Sequence, residues 1–254
     1  MRIEFVGERT VAFRRGARAG AVLALTVALA QAQPIELRVR HVRLGKDCTG
    51  TLRFDETQVA WTPAKASKAC VARVWPYAEM RKLEMRERRI DLAGYQDHRW
   101  KLGEDERWRF TLTGDPAGEE LYRLLRAHMD SRFAPLWAEP DAKPEWSVGA
   151  KLLSSGFASG NWGSEGVLDV GVDRVTFRSA KAGYSHTWLD KEIENASAEP
   201  PFLLTLSVRE GGEAKTREFQ LKQELDAARF DALWQRLNRP RGLRLLDEIE
   251  EKPK

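Results

Sequence analysis

The densest run of side chains that could hold a ligand is Arg81-Lys82 followed by Arg86, Arg88 and Arg89. Guanidinium and ammonium groups gathered on one segment suit an anion, whose phosphate or carboxylate oxygens accept their hydrogen bonds. Glu84, Glu87 and Asp91 are interleaved with them, which is equally the pattern of cross-strand pairs on a solvated sheet face. Cys48 and Cys70 are the only two thiols, and in an exported chain such a pair is most simply a disulfide. A metal site would need His41 to join both thiols, and the spacing gives it no support. Gly183-Tyr184-Ser185-His186 sets a serine beside a histidine, but neighbours in sequence rarely aim at each other, and no G-x-S-x-G elbow accompanies them. His128 falls on an apolar helical stripe, where core packing is its expected role. Trp162, between Asn161 and Gly163, is a candidate exposed contact residue; packing across a seam is the other reading. No catalytic set, cofactor or metal is expected.

These residues follow an N-terminal segment with its own logic. Five arginines in the first 20 residues precede the apolar run Ala21–Ala30, and small residues stand at Ala28, Ala30 and Ala32. Basic, apolar, then small is the order of a secretory signal peptide, expected over 1–32 with cleavage after Ala30 or Ala32. The apolar run is about half of the ~20 residues that span a bilayer, so an uncleaved membrane anchor is the alternative. This segment holds five of the 42 Lys and Arg and two of the 38 Asp and Glu, leaving 37 against 36 and a net charge of +1. A nearly neutral mature chain without aromatic-basic interleaving argues against nucleic-acid binding.

The elements that must position the remainder are written twice. Gly50–Trp61 (GTLRFDETQVAW) recurs at Gly166–Phe177 (GVLDVGVDRVTF): Gly50 matches Gly166, Leu52 Leu168, Phe54 Val170, Val59 Val175 and Trp61 Phe177. Apolar alternation on either side of a polar turn predicts a hairpin in each copy. The retained positions are the glycine and the apolar ones, so the echo marks a folding element. Further on, Trp75, Glu79 and Met80 match Trp188, Glu192 and Ile193, and Phe110 and Leu112 match Phe219 and Leu221. Strand-like segments between them are expected to break at Gly94 and at Gly103-Glu104-Asp105. Each copy closes on an amphipathic helix. The first carries Leu121, Leu124, Leu125, His128 and Met129, with Asp115 as cap and Pro116 in the first turn; the second carries Phe230, Leu233, Trp234 and Leu237, with Asp226 before it. Ser164 stands where the first copy has Cys48, so the bridge belongs to the first copy alone.

The G-x-L hairpin, the later Trp…Met/Ile strand and the terminal helix with Tyr122…Leu125 or Phe230…Leu233 resemble bacterial pleckstrin-homology-like and GRAM-like domains, over residues 36–132 and 146–240. The resemblance implies a mainly β protein with one C-terminal α-helix per unit: two tandem, partly open β-barrels or sandwiches. The units are expected at 33–132 and 146–246, joined by a Pro-containing linker at 133–145 and followed by an acidic tail at 247–254. The resemblance implies binding or scaffolding and no chemistry. Its usual basic hairpin loop is here the acidic Asp55-Glu56, a departure from the phosphoinositide-binding pattern. The expected function is therefore that of an exported, periplasmic or extracellular binding protein with a protein or peptide partner. Anionic-lipid binding through Arg81, Lys82, Arg86, Arg88 and Arg89 is one alternative, and an envelope hydrolase another.

Overall fold

Alternation of inward apolar and outward polar residues governs most of the chain. The computed structural model describes residues 33–42, 47–98, 101–140, 143–153 and 163–244, with side chains left aside at 96–98 and 101–105. The expected leader, Trp162 and the acidic tail lie outside the described residues. The first sheet comprises β1 (Ile35–Val42), β2 (Cys48–Phe54), β3 (Gln58–Pro63), β4 (Arg73–Pro76), β5 (Met80–Arg86), β6 (Arg89–His98), β7 (Lys101–Leu112) and β8 (Phe133–Pro135), with helix α1 (Glu119–His128) before β8. The second comprises β9 (Trp146–Leu153), β10 (Gly163–Val170), β11 (Arg174–Ser179), β12 (His186–Leu189), β13 (Ile193–Ser197), β14 (Leu203–Glu210) and β15 (Glu213–Leu221), followed by α2 (Ala227–Asn238).

The strand orders are β4-β3-β2-β1-β7-β6-β5-β8 and β12-β11-β10-β9-β15-β14-β13. Seven strands thus follow one plan in both sheets, and the first sheet gains β8. Neither sheet closes into a barrel: each is a partly open sandwich with a helix against it. Inward residues form two cores. One holds Leu52, Phe54, Val59, Met85 and Phe110 with Leu121 and Leu125 of α1; the other holds Leu168, Val170, Val175, Phe177 and Phe219 with Leu233 and Leu237 of α2. Both belong to one compact unit spanning Ala32–Lys254.

The echoed hairpins share their register. Phe54 faces Val59 and Leu52 faces Trp61; Val170 faces Val175 and Leu168 faces Phe177. The retained glycines have a steric cause. A Cβ on Gly50 would collide with the Thr62 carbonyl and lie 2.7 Å from the Trp61 ring. On Gly166 it would collide with the Arg178 carbonyl and lie 2.9 Å from the Phe177 ring. In both copies the aromatic of the facing strand lies over the glycine, and no side chain fits beneath it.

Several local expectations are corrected. Helix α1 starts after Gly118, not at Asp115, and no side chain caps it. The preceding segment is held extended because the Ala117 N–H donates to the Glu87 carbonyl over 2.7 Å. In α2 the expected cap is present: Asp226 accepts from the Arg229 N–H. His128 is exposed at the end of α1, outside the core, where its ring stacks on Tyr77 with centroids 6.5 Å apart. Strands β6 and β7 run through Gly94 and Gly103 as one long hairpin, with register shifts between Ala93 and Asp97 in place of breaks; glycine here accommodates an irregular ladder.

The linker expected at 133–145 is not free chain. Its first three residues are β8, paired parallel to β5 through Leu83–Phe133, Glu84–Ala134 and Met85–Pro135. Phe133 and Ala134 are fully buried. The Pro135 at the end of β8 costs no ladder bond, because this is an edge strand.

Candidate ligand groove and the seam beside it

A groove of about 720 Å3 opens on the outer face of β5, β6 and β7, bordered by Glu213 from the β14–β15 hairpin. Strand alternation explains its lining. In Arg107-Trp108-Arg109-Phe110, the two aromatics turn into the core, so Arg107 and Arg109 must turn out. On β6 the outward residues are Arg89, Asp91 and Ala93, and Asp91 faces Arg109 while Ala93 faces Arg107. Arg81, Lys82 and Glu84 complete the wall on β5.

Of the five cations expected to act together, three do. Arg81, Lys82 and Arg89 line the groove. Arg86 points elsewhere, its Nη1 donating to the Gly183 carbonyl across the seam between the sheets, 2.5 Å away. Arg88 is exposed at the β5–β6 turn and does not line the groove. Arg107 and Arg109, which join the three, carried a readable signal in the alternation of β7.

The groove cations are only partly neutralised. Glu84 is shared by Lys82 at 2.5 Å and Arg86 at 3.5 Å, and Asp91 by Arg89 at 2.5 Å and Arg109 at 3.3 Å. Arg81 lies 3.8 Å from Glu213. Arg107 forms no ion pair among the described residues. Burial by itself would raise the Glu84 carboxyl, but Lys82, Arg86 and Lys215 outweigh it and hold the group below the usual carboxylate range. Glu84 therefore stays ionised. The solvent-side pairs, Arg81–Glu213 and Arg109–Asp91, are of the kind worth about 0–1 kcal/mol each, so an incoming carboxylate competes for those cations on nearly equal terms.

The seam is built from both sheets. Glu192, which matches Glu79, is buried; its Oε2 accepts from the Leu189 N–H at 3.0 Å, and its Oε1 pairs with Arg126 of α1. Arg126 also donates to the Thr187 carbonyl at 2.9 Å. Between them the chain from Leu136 to Glu139 forms a strap. The Thr187 hydroxyl donates to the Trp137 carbonyl at 3.0 Å, and Glu139 pairs with Arg174. The turn of the β14–β15 hairpin reaches back, with the Gly212 N–H donating to the Ser131 carbonyl at 2.7 Å. Glu79 has no such role and is exposed.

Ser185 and His186 do not meet as nucleophile and base. The Ser185 Oγ accepts from the Ser179 N–H at 3.1 Å. His186 is buried and stacked on Trp188, with centroids 4.9 Å apart and planes 7° from parallel. Its Nδ1 lies 3.5 Å from the Glu210 Oε1, while the other Glu210 oxygen takes two bonds from Arg217, at 3.2 and 2.6 Å. Burial draws the imidazole below its ordinary value against the pull of Glu210. Burial would raise the Glu210 carboxyl, but His186, Arg217 and Lys215 together hold it well below the carboxylate range. The resting pair is a neutral imidazole beside a carboxylate anchored by Arg217.

Cys48, at the start of β2, and Cys70, in the loop before β4, form a disulfide with Cα atoms 5.8 Å apart. It ties that loop to the sheet. Such bonds persist in oxidising compartments. No helix among the described residues is long and apolar enough to cross a membrane, and none of their His, Cys, Asp and Glu side chains cluster in a metal-binding group.

No family model matches the chain, and no curated protein matches it. Among solved structures it is similar to the Spt16D Pob3N heterodimer, at 11% identity and a TM-score of 0.27, over 70% of this chain and 84% of that one.

Proposed function

We propose that this is an exported, non-enzymatic binding protein of the cell envelope, built from two pleckstrin-homology-like modules, whose groove holds an acidic, extended segment of a partner protein. The observation that carries this reading is the charge balance of the groove. Arg81, Lys82, Arg89, Arg107 and Arg109 line it against Glu84, Asp91 and Glu213. Carboxylates spaced along an extended segment can exchange into pairs that already exist, at little cost in desolvation. Val42, Ala93 and the edge of Trp108 offer apolar contact between the charges. The disulfide supports an oxidising location, and hence export.

The test is fluorescence anisotropy of the full chain with labelled peptides: one rich in Asp and Glu, one uncharged, one rich in Lys. The acidic peptide should bind best. Its affinity should fall as salt shortens the screening length, which is about 10 Å at 0.1 M. Changing Arg107 and Arg109 together to Ser should weaken binding about tenfold or more, at roughly 1.4 kcal/mol per factor of ten. Equal binding of all three peptides would overturn the reading. Co-sedimentation with anionic but not neutral vesicles, in the absence of peptide binding, would replace it with an anionic membrane surface.

A further inference from the structure

A second cavity, of about 280 Å3, opens at the seam farther along the outer face of β5, beyond Glu84 from the peptide groove. It lies just below the size range of small-molecule sites, roughly 300–1,000 Å3. Three buried polar atoms on its lining residues lack a well-formed hydrogen bond: Arg86 Nε, and His186 Nδ1 and Glu210 Oε1, which face each other across 3.5 Å. His186 and Glu210 are 3% and 2% exposed. Native interiors leave few such atoms unpaired, because each then bears the full desolvation cost of its group. Arg86 Nε is left unbonded and the His186–Glu210 contact is long, so a polar ligand group would gain at both.

The lining tells what would fill it. Arg86, Lys215 and Arg217 contribute positive charge, Glu84 and Glu210 negative, and Leu136, Leu152 and Leu153 an apolar side. The Lys215 ammonium forms no ion pair among the described residues. A phosphate-like polyanion would have to sit beside two carboxylates, and a simple cation beside three cations. A ligand carrying both an anionic acceptor and a donor satisfies both sets at once. The leucines leave room for a short aliphatic group.

We propose that this cavity binds a small aliphatic carboxylate that also carries a hydrogen-bond donor: an amino acid or a short hydroxy acid. Its carboxylate accepts from Arg86 Nε and Lys215. Its ammonium or hydroxyl donates to Glu210 Oε1, beside the neutral His186. The ligand bridges β5 of the first sheet and β14–β15 of the second, so its binding also ties the two sheets together. The cavity and the peptide groove meet at Glu84, which lines both, whereas Lys215 and Glu210 line the cavity alone, so a change at Lys215 tests this proposal apart from the groove reading.

The experiment is titration of the full chain with glycine, L-alanine, L-valine and L-lactate, set against propionate and inorganic phosphate. Calorimetry gives the affinity, and the imidazole resonances of His186 report occupancy at the site. At least one amino or hydroxy acid should bind one-to-one and move the His186 resonances. Propionate, which lacks the donor, and phosphate should each bind about tenfold more weakly or worse. Lys215→Met, at a half-exposed position that a folded protein tolerates, should weaken binding about tenfold while leaving the circular dichroism spectrum and melting temperature in place. The proposal is overturned if no probe binds at millimolar concentration, if propionate or phosphate binds as tightly, or if Lys215→Met leaves the affinity unchanged.

Discussion

At one end of the first sheet, Arg73 of β4 reaches Glu106 of β7 through two bonds of 3.0 and 2.9 Å and lies over the Trp108 ring, 4.5 Å from its centroid. At the matching end of the second sheet, the same strand positions hold His186, Lys215 and Arg217. Glu106 has become Lys215 and Trp108 has become Arg217, so the carboxylate must come from β14 as Glu210. The first end pairs its charges with each other in partly solvated surroundings and leaves one buried polar atom, the Trp75 Nε1, without a hydrogen bond among the described residues. The second faces the seam, is nearly dry, and keeps polar atoms unpaired. One strand plan thus supports two different surfaces: a strand end whose charged groups pair with each other, and one whose buried charged groups are incompletely bonded and where a ligand gains most. The comparison extends to Glu79 and Glu192, to the disulfide, and to the paired glycines, and each can be tested.

The largest difference is expected at the two glutamates. Glu192→Ala removes the partner of Arg126 and leaves a guanidinium buried at the seam; breaking such a pair costs about 3–5 kcal/mol. Glu79→Ala changes an exposed side chain and is expected to stay within about 0.5 kcal/mol. Urea denaturation of the two variants measures both, and equal losses would break the comparison. Next is the disulfide. Cys48→Ser with Cys70→Ser should destabilise the chain by about 2–4 kcal/mol. Ser164, the counterpart of Cys48, hydrogen-bonds to Ser179, and Ser164→Ala should cost only about 0.5–1.5 kcal/mol. Mass spectrometry after alkylation of the native protein should find no labelled thiol. The glycines sharpen the parallel in the opposite sense. Gly50→Ala and Gly166→Ala should both destabilise by about 1–3 kcal/mol, because both would press a methyl into a facing carbonyl and ring. A loss at one site alone would mean that the two hairpins are not built alike.

Much of the sheet plan was legible because its signals are local. Alternation placed the hairpins, the apolar stripe placed α2, and Asp226 announced its start. What was missed depends on partners far away in the chain. Phe133-Ala134-Pro135 reads as linker by its proline, and only the open edge of β5 makes it a strand. Glu210 carries no special mark until two sheets close around it. One missed feature was in plain view. Arg132 donates to the Met80 carbonyl and Arg241 to the Ile193 carbonyl, and these arginines stand at matching places after the two helices. A retained polar residue was thus present, with a structural role: each guanidinium ties the segment after its helix to the start of the same strand. Arg107 and Arg109 were also readable from the alternation of β7, had the groove been known to lie on its outer face.

The smallest effect is also the most specific, and it concerns pH. Histidine is the side chain whose charge changes nearest neutral pH, and at this strand position the second sheet has His186 where the first has Arg73. Groups facing His186 come from three strands: Glu210 from β14, Arg217 from β15 and Arg86 from β5. Burial outweighs the pull of Glu210, and the imidazole binds its proton less readily in the folded chain than in the unfolded one. Between the ordinary value of 6.5 and the lower folded value, the unfolded state therefore holds more protons. Stability should be fully present above that ordinary value and decline as the pH falls below it. Glu84, whose carboxyl is held below its ordinary value of 4.5, adds its own loss only in more acidic solution. The two contributions occupy different windows. His186→Gln removes the titrating group and also the stack on Trp188, so its absolute stability is not the useful quantity. The slope is. Denaturation midpoints measured between about pH 5 and 7 should flatten in His186→Gln relative to the parent chain, while Arg73→Gln keeps the parent slope. If both variants retain that slope, the dry strand end of the second sheet is not the origin of the pH dependence.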